Sequence, residues 1–78
     1  MKIAFTEHSK ERMNKYHINP KIIENCLNLP DLKSKTYLNR ILYQKKLNGH
    51  VLRVIVEESK EIKRIITVYK ARRKRYGI

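Results

Sequence analysis

Asn48-Gly49 is the pair of residues that most restricts what this 78-residue chain can fold into. It separates RILYQKKL (40–47) from HVLRVIVEE (50–58). Asn-Gly is the pair that a type I′ hairpin turn selects, because both central residues then need positive φ. With those two residues as the turn, Leu47 pairs with His50, Tyr43 with Val54 and Gln44 with Arg53. A three-residue connection at Ser59-Lys60-Glu61 leads into IKRIITVYK and places Val54 opposite Ile66 and Arg53 opposite Thr67. One face of this meander is then apolar, with Ile41, Tyr43, Leu52, Val54, Ile66 and Val68. The other carries Gln44, Arg53, Glu57, Lys63 and Thr67 among Leu42, Ile55 and Ile65. An antiparallel sheet with one face for a core and one basic, polar face is the expected scaffold.

What precedes the hairpin reads as helices to cover the apolar face. Lys2–Phe5 is a short apolar run suited to an edge strand. Thr6 is a good N-cap with Glu7 in the first turn, and the helix is expected to run to about Tyr16, with Phe5, Ser9, Met13 and Tyr16 on one side. His8 and Arg12, four apart, stack at the border of that stripe. Asn19-Pro20 starts a second helix, whose face of Ile22, Ile23, Cys26 and Leu27 seeks the core. Pro30 stops it near Asn28. A polar loop from Asp31 then leads to a short strand expected around Lys35–Leu38. The resulting order, β-α-α-β-β-β, is α+β: two N-terminal helices packed on one face of a curved antiparallel sheet. Residues 1–78 form one domain, ending in a basic tail at about 71–78.

Charge bears most directly on function. Lys and Arg number 19 against 7 Asp and Glu, a net of +12, where small soluble domains carry roughly 2 to 8. Such an excess calls for an anionic partner, nucleic acid or an acidic protein. No segment joins a basic face to a strongly apolar one, and no apolar run is long enough to span a bilayer, so a membrane is not the expected partner. Cys26 is the only cysteine, and there is no metal-type cysteine spacing and no signal peptide. A reduced, cytoplasmic protein without metal or cofactor is the expectation. A helix-turn-helix regulator is disfavoured, because the charge lies on strands and tail and not on the second helix.

Four short motifs resemble the RelE/ParE toxin superfamily, in particular its branch of short RelE-like proteins. They are H-x-x-x-R-M (His8, Arg12, Met13), L-P-D (Leu29, Pro30, Asp31), G-x-x-L-x-V-x-V (Gly49, Leu52, Val54, Val56) and I-T-V-Y (Ile66 to Tyr69). The resemblance spans about residues 3 to 70. His17 stands where that family often has Gly, so it has to accept a left-handed or distorted helix cap. The resemblance implies a metal-independent endoribonuclease toxin acting on mRNA, with or on the ribosome, and held by an acidic antitoxin protein. Toxins of this fold that inhibit a topoisomerase or ribosome by binding alone are the alternative, and a nucleic-acid-binding accessory protein is a third.

Metal-independent RNA cleavage needs a base for the 2′-hydroxyl, an acid for the departing 5′-oxygen and cations for the phosphorane. By resemblance, His8, Arg12 and Thr67 match the branch's recurrent polar positions. An imidazole suits acid–base work near neutral pH, and a guanidinium fork suits a phosphate. Arg53 joins them on physical grounds, because a charge in the middle of an apolar strand must meet solvent or a ligand. Further RNA contacts are expected from Lys45 and Lys63, from Tyr69 as a stacking platform, and from Lys70, Arg72, Arg73 and Arg75.

Overall fold

In the computed structural model, residues 2–76 are described in backbone and residues 2–74 in side chain. The helix starts follow from their caps. The Thr6 hydroxyl accepts the Ser9 N–H at 3.1 Å to open α1 (Glu7–Lys15), and Asn19 Oδ1 accepts the Ile22 N–H at 3.0 Å to open α2 (Pro20–Asn28). α1 ends in a Schellman motif: Ile18 N–H reaches the Met13 carbonyl at 2.8 Å and His17 N–H the Asn14 carbonyl at 3.3 Å. His17 takes the left-handed position, φ 57°, where glycine is the unstrained residue. Ile18 and Met13 are both buried in the core, which holds the cap closed.

The sheet contains β1 (Lys2–Phe5), β2 (Leu32–Lys35), β3 (Arg40–Leu47), β4 (His50–Glu58) and β5 (Ile62–Arg72), in the order β1-β5-β4-β3-β2. It is an α+β fold with N-terminal helices on a mixed sheet: β2 to β5 are antiparallel, and β1 joins β5 in parallel. β2 lies earlier than the expected Lys35–Leu38, because Leu38 and Asn39 adopt left-handed conformations (φ 58° and 59°) that turn the chain into β3. Beyond β5 the chain forms α3 (Arg73–Tyr76), whose first N–H bonds the Gly49 carbonyl at 3.1 Å. The expected tail is therefore strand to Arg72 and helix from Arg73 onward, and residues 77–78 lie outside the described residues.

The hairpin keeps the expected register, Leu47 with His50, Tyr43 with Val54 and Gln44 with Arg53. Its turn differs. Gly49 has φ 76° but Asn48 does not have positive φ, the pattern of a type II turn, not type I′. The β4–β5 register also differs from expectation. Glu58 faces Lys63 and Val56 faces Ile65, but Ile55 faces Thr67, so Ile66 is an extra residue in a β-bulge. The connection is one residue longer than expected and the bulge adds another. Arg53 therefore faces Tyr69 and Val54 faces Val68. The bulge also inverts the side-chain alternation before it, so Ile65, not Ile66, enters the core.

The core lies between the helices and one sheet face: Ile23, Cys26 and Leu27 from α2 and Met13 from α1 meet Tyr43, Leu52, Val54, Val56, Ile65 and Val68. Burial pushes the Cys26 thiol up to about 12, which makes it a packing residue. Tyr43 is 1% exposed, and its hydroxyl donates to Glu58 Oε2 at 2.5 Å. Burial and Glu58 raise its phenol above the ordinary 10.0. The L-P-D segment ties the end of α2 to the sheet, since Asp31 accepts the Lys46 N–H at 2.7 Å, which lowers its carboxyl.

Replacing His17 by Gly is expected to stabilise the domain by about 0.5–1 kcal/mol in denaturant unfolding, and Gly49→Ala to destabilise it by about 1 kcal/mol, since the space around Gly49 is open and only its φ resists a side chain. Stability is also expected to fall as pH rises past 10, where the unfolded chain loses the Tyr43 proton and the folded chain keeps it. Tyr43→Phe removes the tyrosine's part of that slope while losing the Glu58 bond and leaves the part due to Cys26, whose thiol burial also raises, measurable by unfolding at pH 8 and 11.

Candidate functional site

β1 ends at Phe5, opposite Ile65, so the edge of β5 beyond the bulge lacks a strand neighbour and meets the start of α1 instead. Thr6 makes the join. Its hydroxyl donates to the Ile65 and Ile66 carbonyls at 2.8 and 3.2 Å while accepting the Ser9 N–H. Its own carbonyl accepts the Ser9 hydroxyl at 2.8 Å, and Ser9 is wholly buried. With the first turn held there, His8 Nε2 lies 3.1 Å from Thr67 Oγ1. His8 itself remains exposed.

Thr67 shares its sheet face with Tyr69, two residues along β5, on the side opposite the helices. The two Cα atoms are about 7 Å apart by strand geometry. Tyr69 stands in a row across three strands with Arg53 and Gln44. Arg53 donates through Nε to the Tyr69 hydroxyl at 2.6 Å and through Nη1 to Gln44 Oε1 at 2.7 Å. Its guanidinium carbon also lies 5.4 Å from the Tyr69 ring centroid. Leu42 and Val51, both buried but outside the main core cluster, lie on this face next to Gln44 and Arg53. Ile55 lies between Leu42 and Thr67. A half-buried arginine held at two nitrogens is a pre-oriented cation.

The structure thus brings together His8 with Thr67, and Arg53 with Tyr69, along one strand. Arg12 sits one turn beyond His8 on α1, half-buried. Lys45 and Lys63 fall elsewhere. Both lie on the helix-covered face, where Lys45 Nζ donates to the Leu29 carbonyl at 2.8 Å and the Lys63 ammonium lies 5.1 Å from the Tyr43 ring centroid. Lys70 and Arg72 line an open groove with Ala71 and Lys74 at the end of β5. Arg73 begins α3 against the hairpin turn, and the side chain of Arg75 lies outside the described residues. Gln44 belongs to the site without having been singled out for it. Its polarity opposite Arg53 on a mostly apolar strand was the available signal.

Among the described residues no helix is long and apolar enough to cross a membrane. The sequence profile of a family described as a domain of unknown function, DUF4258, matches residues 5–70. No curated protein and no solved structure matches the chain.

Thr6→Ala is expected to cost about 1–2 kcal/mol, because one hydroxyl serves both as helix cap and as tether to the bulge. Thr6→Ser should recover most of it. Denaturant unfolding reads the stability, and the His8 imidazole NMR shift reads whether the ring has left Thr67.

Proposed function

The chain belongs to the DUF4258 family, and we propose that it is a metal-independent endoribonuclease toxin of RelE type, acting on mRNA in the cytoplasm and neutralised by an acidic partner protein. The observation that carries this reading is the 3.1 Å approach of His8 Nε2 to Thr67 on the sheet face that also holds the Arg53–Tyr69 pair. The net charge of +12 and the groove of Lys70, Arg72 and Lys74 supply the attraction for a polyanion.

In the proposed reaction, RNA lies along β5 with its scissile phosphate between Thr67 and Arg53. The 2′-hydroxyl displaces the Thr67 hydroxyl from His8 Nε2, which takes the 2′-hydroxyl proton, and the 2′-oxygen attacks phosphorus. The P–O5′ bond breaks, leaving a 2′,3′-cyclic phosphate on one fragment. The Tyr69 hydroxyl, polarised by Arg53 Nε, gives a proton to the departing 5′-oxygen. Arg53 and Arg12 offset the charge that builds on the phosphorane, and the Thr67 hydroxyl, which holds His8 Nε2 in the free protein, turns to donate to a phosphate oxygen. Gln44 holds Arg53 in place through the bond to Nη1.

Cleavage of a defined RNA, with and without ribosomes and with chelator present, tests this reading. His8→Ala is expected to lower cleavage by about 10²–10⁴-fold with binding nearly unchanged, the range for loss of one acid–base group. Arg53→Ala should weaken cleavage and binding together. Products that persist undiminished in His8→Ala would discard this site. Tight, salt-sensitive binding without products in any reaction would favour a toxin that inhibits by binding alone.

A further inference from the structure

The open edge of β2 is a second surface, independent of the chemistry on the helix-free face. The Thr36 N–H bonds the Arg40 carbonyl at 2.8 Å, and the β2–β3 register continues from it: Ser34 with Leu42 and Leu32 with Gln44. In an antiparallel ladder, hydrogen-bonded pairs alternate with pairs whose backbone groups point away. Lys33 and Lys35 therefore turn their N–H and C=O groups outward, and β2 is the last strand on that side of the sheet. All four β2 residues are exposed.

The side chains of β2 divide by face. Lys33 and Lys35 lie on the helix-covered side, where the Lys33 ammonium sits 5.1 Å from the Tyr43 ring centroid. Leu32 lies on the other side and is 45% exposed, and the turn that follows leaves Tyr37 and Leu38 at 86% and 77%. Exposed apolar side chains beside an unpaired strand edge mark a place where another strand adds.

We propose that β2 receives an extended segment of a partner protein, with acidic residues at every second position and apolar residues between them. Main-chain pairing with Lys33 and Lys35 holds the segment. Its acids face the two lysines, and its apolar residues cover Leu32 and reach Leu38. A second copy of this chain is the wrong occupant, because β2 paired with itself sets Lys33 and Lys35 against the same two lysines between molecules of net charge +12. Nucleic acid does not supply the alternating donors and acceptors of a strand.

The test titrates the full chain with a capped twelve-residue peptide of alternating Glu and Val, and with a control holding the same residues in two blocks. The alternating peptide is expected to protect the Lys33 and Lys35 amides from hydrogen exchange, and the block control to leave them unprotected. Lys35→Pro removes one outward N–H without touching a β2–β3 bond, and should weaken the alternating peptide by about tenfold with the fold retained by circular dichroism. Joint Lys33→Glu and Lys35→Glu should abolish its binding. Equal binding of both peptides, protection confined to β1 or the β5 end, or full affinity in Lys35→Pro would overturn the proposal. Self-association that itself protects the β2 amides would overturn it in favour of a second copy.

Discussion

The Thr6 hydroxyl, bonded at once to the α1 N-terminus and to the carbonyls of the β5 bulge, is the contact on which the rest of the arrangement depends. A bulge leaves carbonyls that a regular ladder does not use, and a helix start leaves N–H groups without acceptors. One side chain answers both. The consequence is positional: α1 can begin only at this point of β5, and its first turn then carries His8 around the edge of the sheet to Thr67. The bulge also restores the alternation on the far side, so that Thr67 and Tyr69 share a face with Arg53. Without the extra residue at Ile66, the parts of β5 before and after it could not both turn their apolar side chains, Ile65 and Val68, to the core.

The two sheet faces are stabilised differently. The helix-covered face is an apolar core closed at one end by Tyr43, whose single polar atom is satisfied by Glu58. The helix-free face has a polar row at its centre, Gln44–Arg53–Tyr69, between buried Leu42 and Val51. A guanidinium in such a surround is costly unless its N–H groups are bonded, and two of its nitrogens are. The same bonds that make its partial burial tolerable fix its direction. A catalytic or anion-binding arginine needs both properties, so one row of side chains serves stability and the proposed chemistry together.

Much of the local structure is legible in the residues themselves. Thr6 and Asn19 are strong caps, Pro20 and Pro30 bracket α2, and the Ile22, Ile23, Cys26, Leu27 pattern points one way only, so both helices and their buried faces followed from residue chemistry. Asn48-Gly49 placed the central hairpin and its register because a two-residue turn leaves no freedom in pairing. Its turn type was not legible: Gly49 alone carries the positive φ, and Asn48 accommodates either sign. The 36–39 turn was missed because Leu38 and Asn39 take left-handed conformations, and for Leu the local residue type argues against that choice.

Composition and pattern by themselves determined an α+β domain with two capped helices, a hairpin-centred sheet and a net charge of +12. Those properties are local or summed, and a single residue or a count expresses them. Tertiary structure alone decided that β1 runs parallel beside β5, that Ile66 is the bulge, and that Arg53 faces Tyr69 and not Thr67. It also decided that Lys45 and Lys63 serve the helix-covered side. Each of these depends on packing between segments far apart in the chain, where a shift of one residue moves every side chain to the opposite face. Periodicity along one strand cannot report such a shift, because Ile65 and Ile66 are equally apolar and only the pairing of Ile65 with Val56 across the sheet sends it, and not Ile66, into the core.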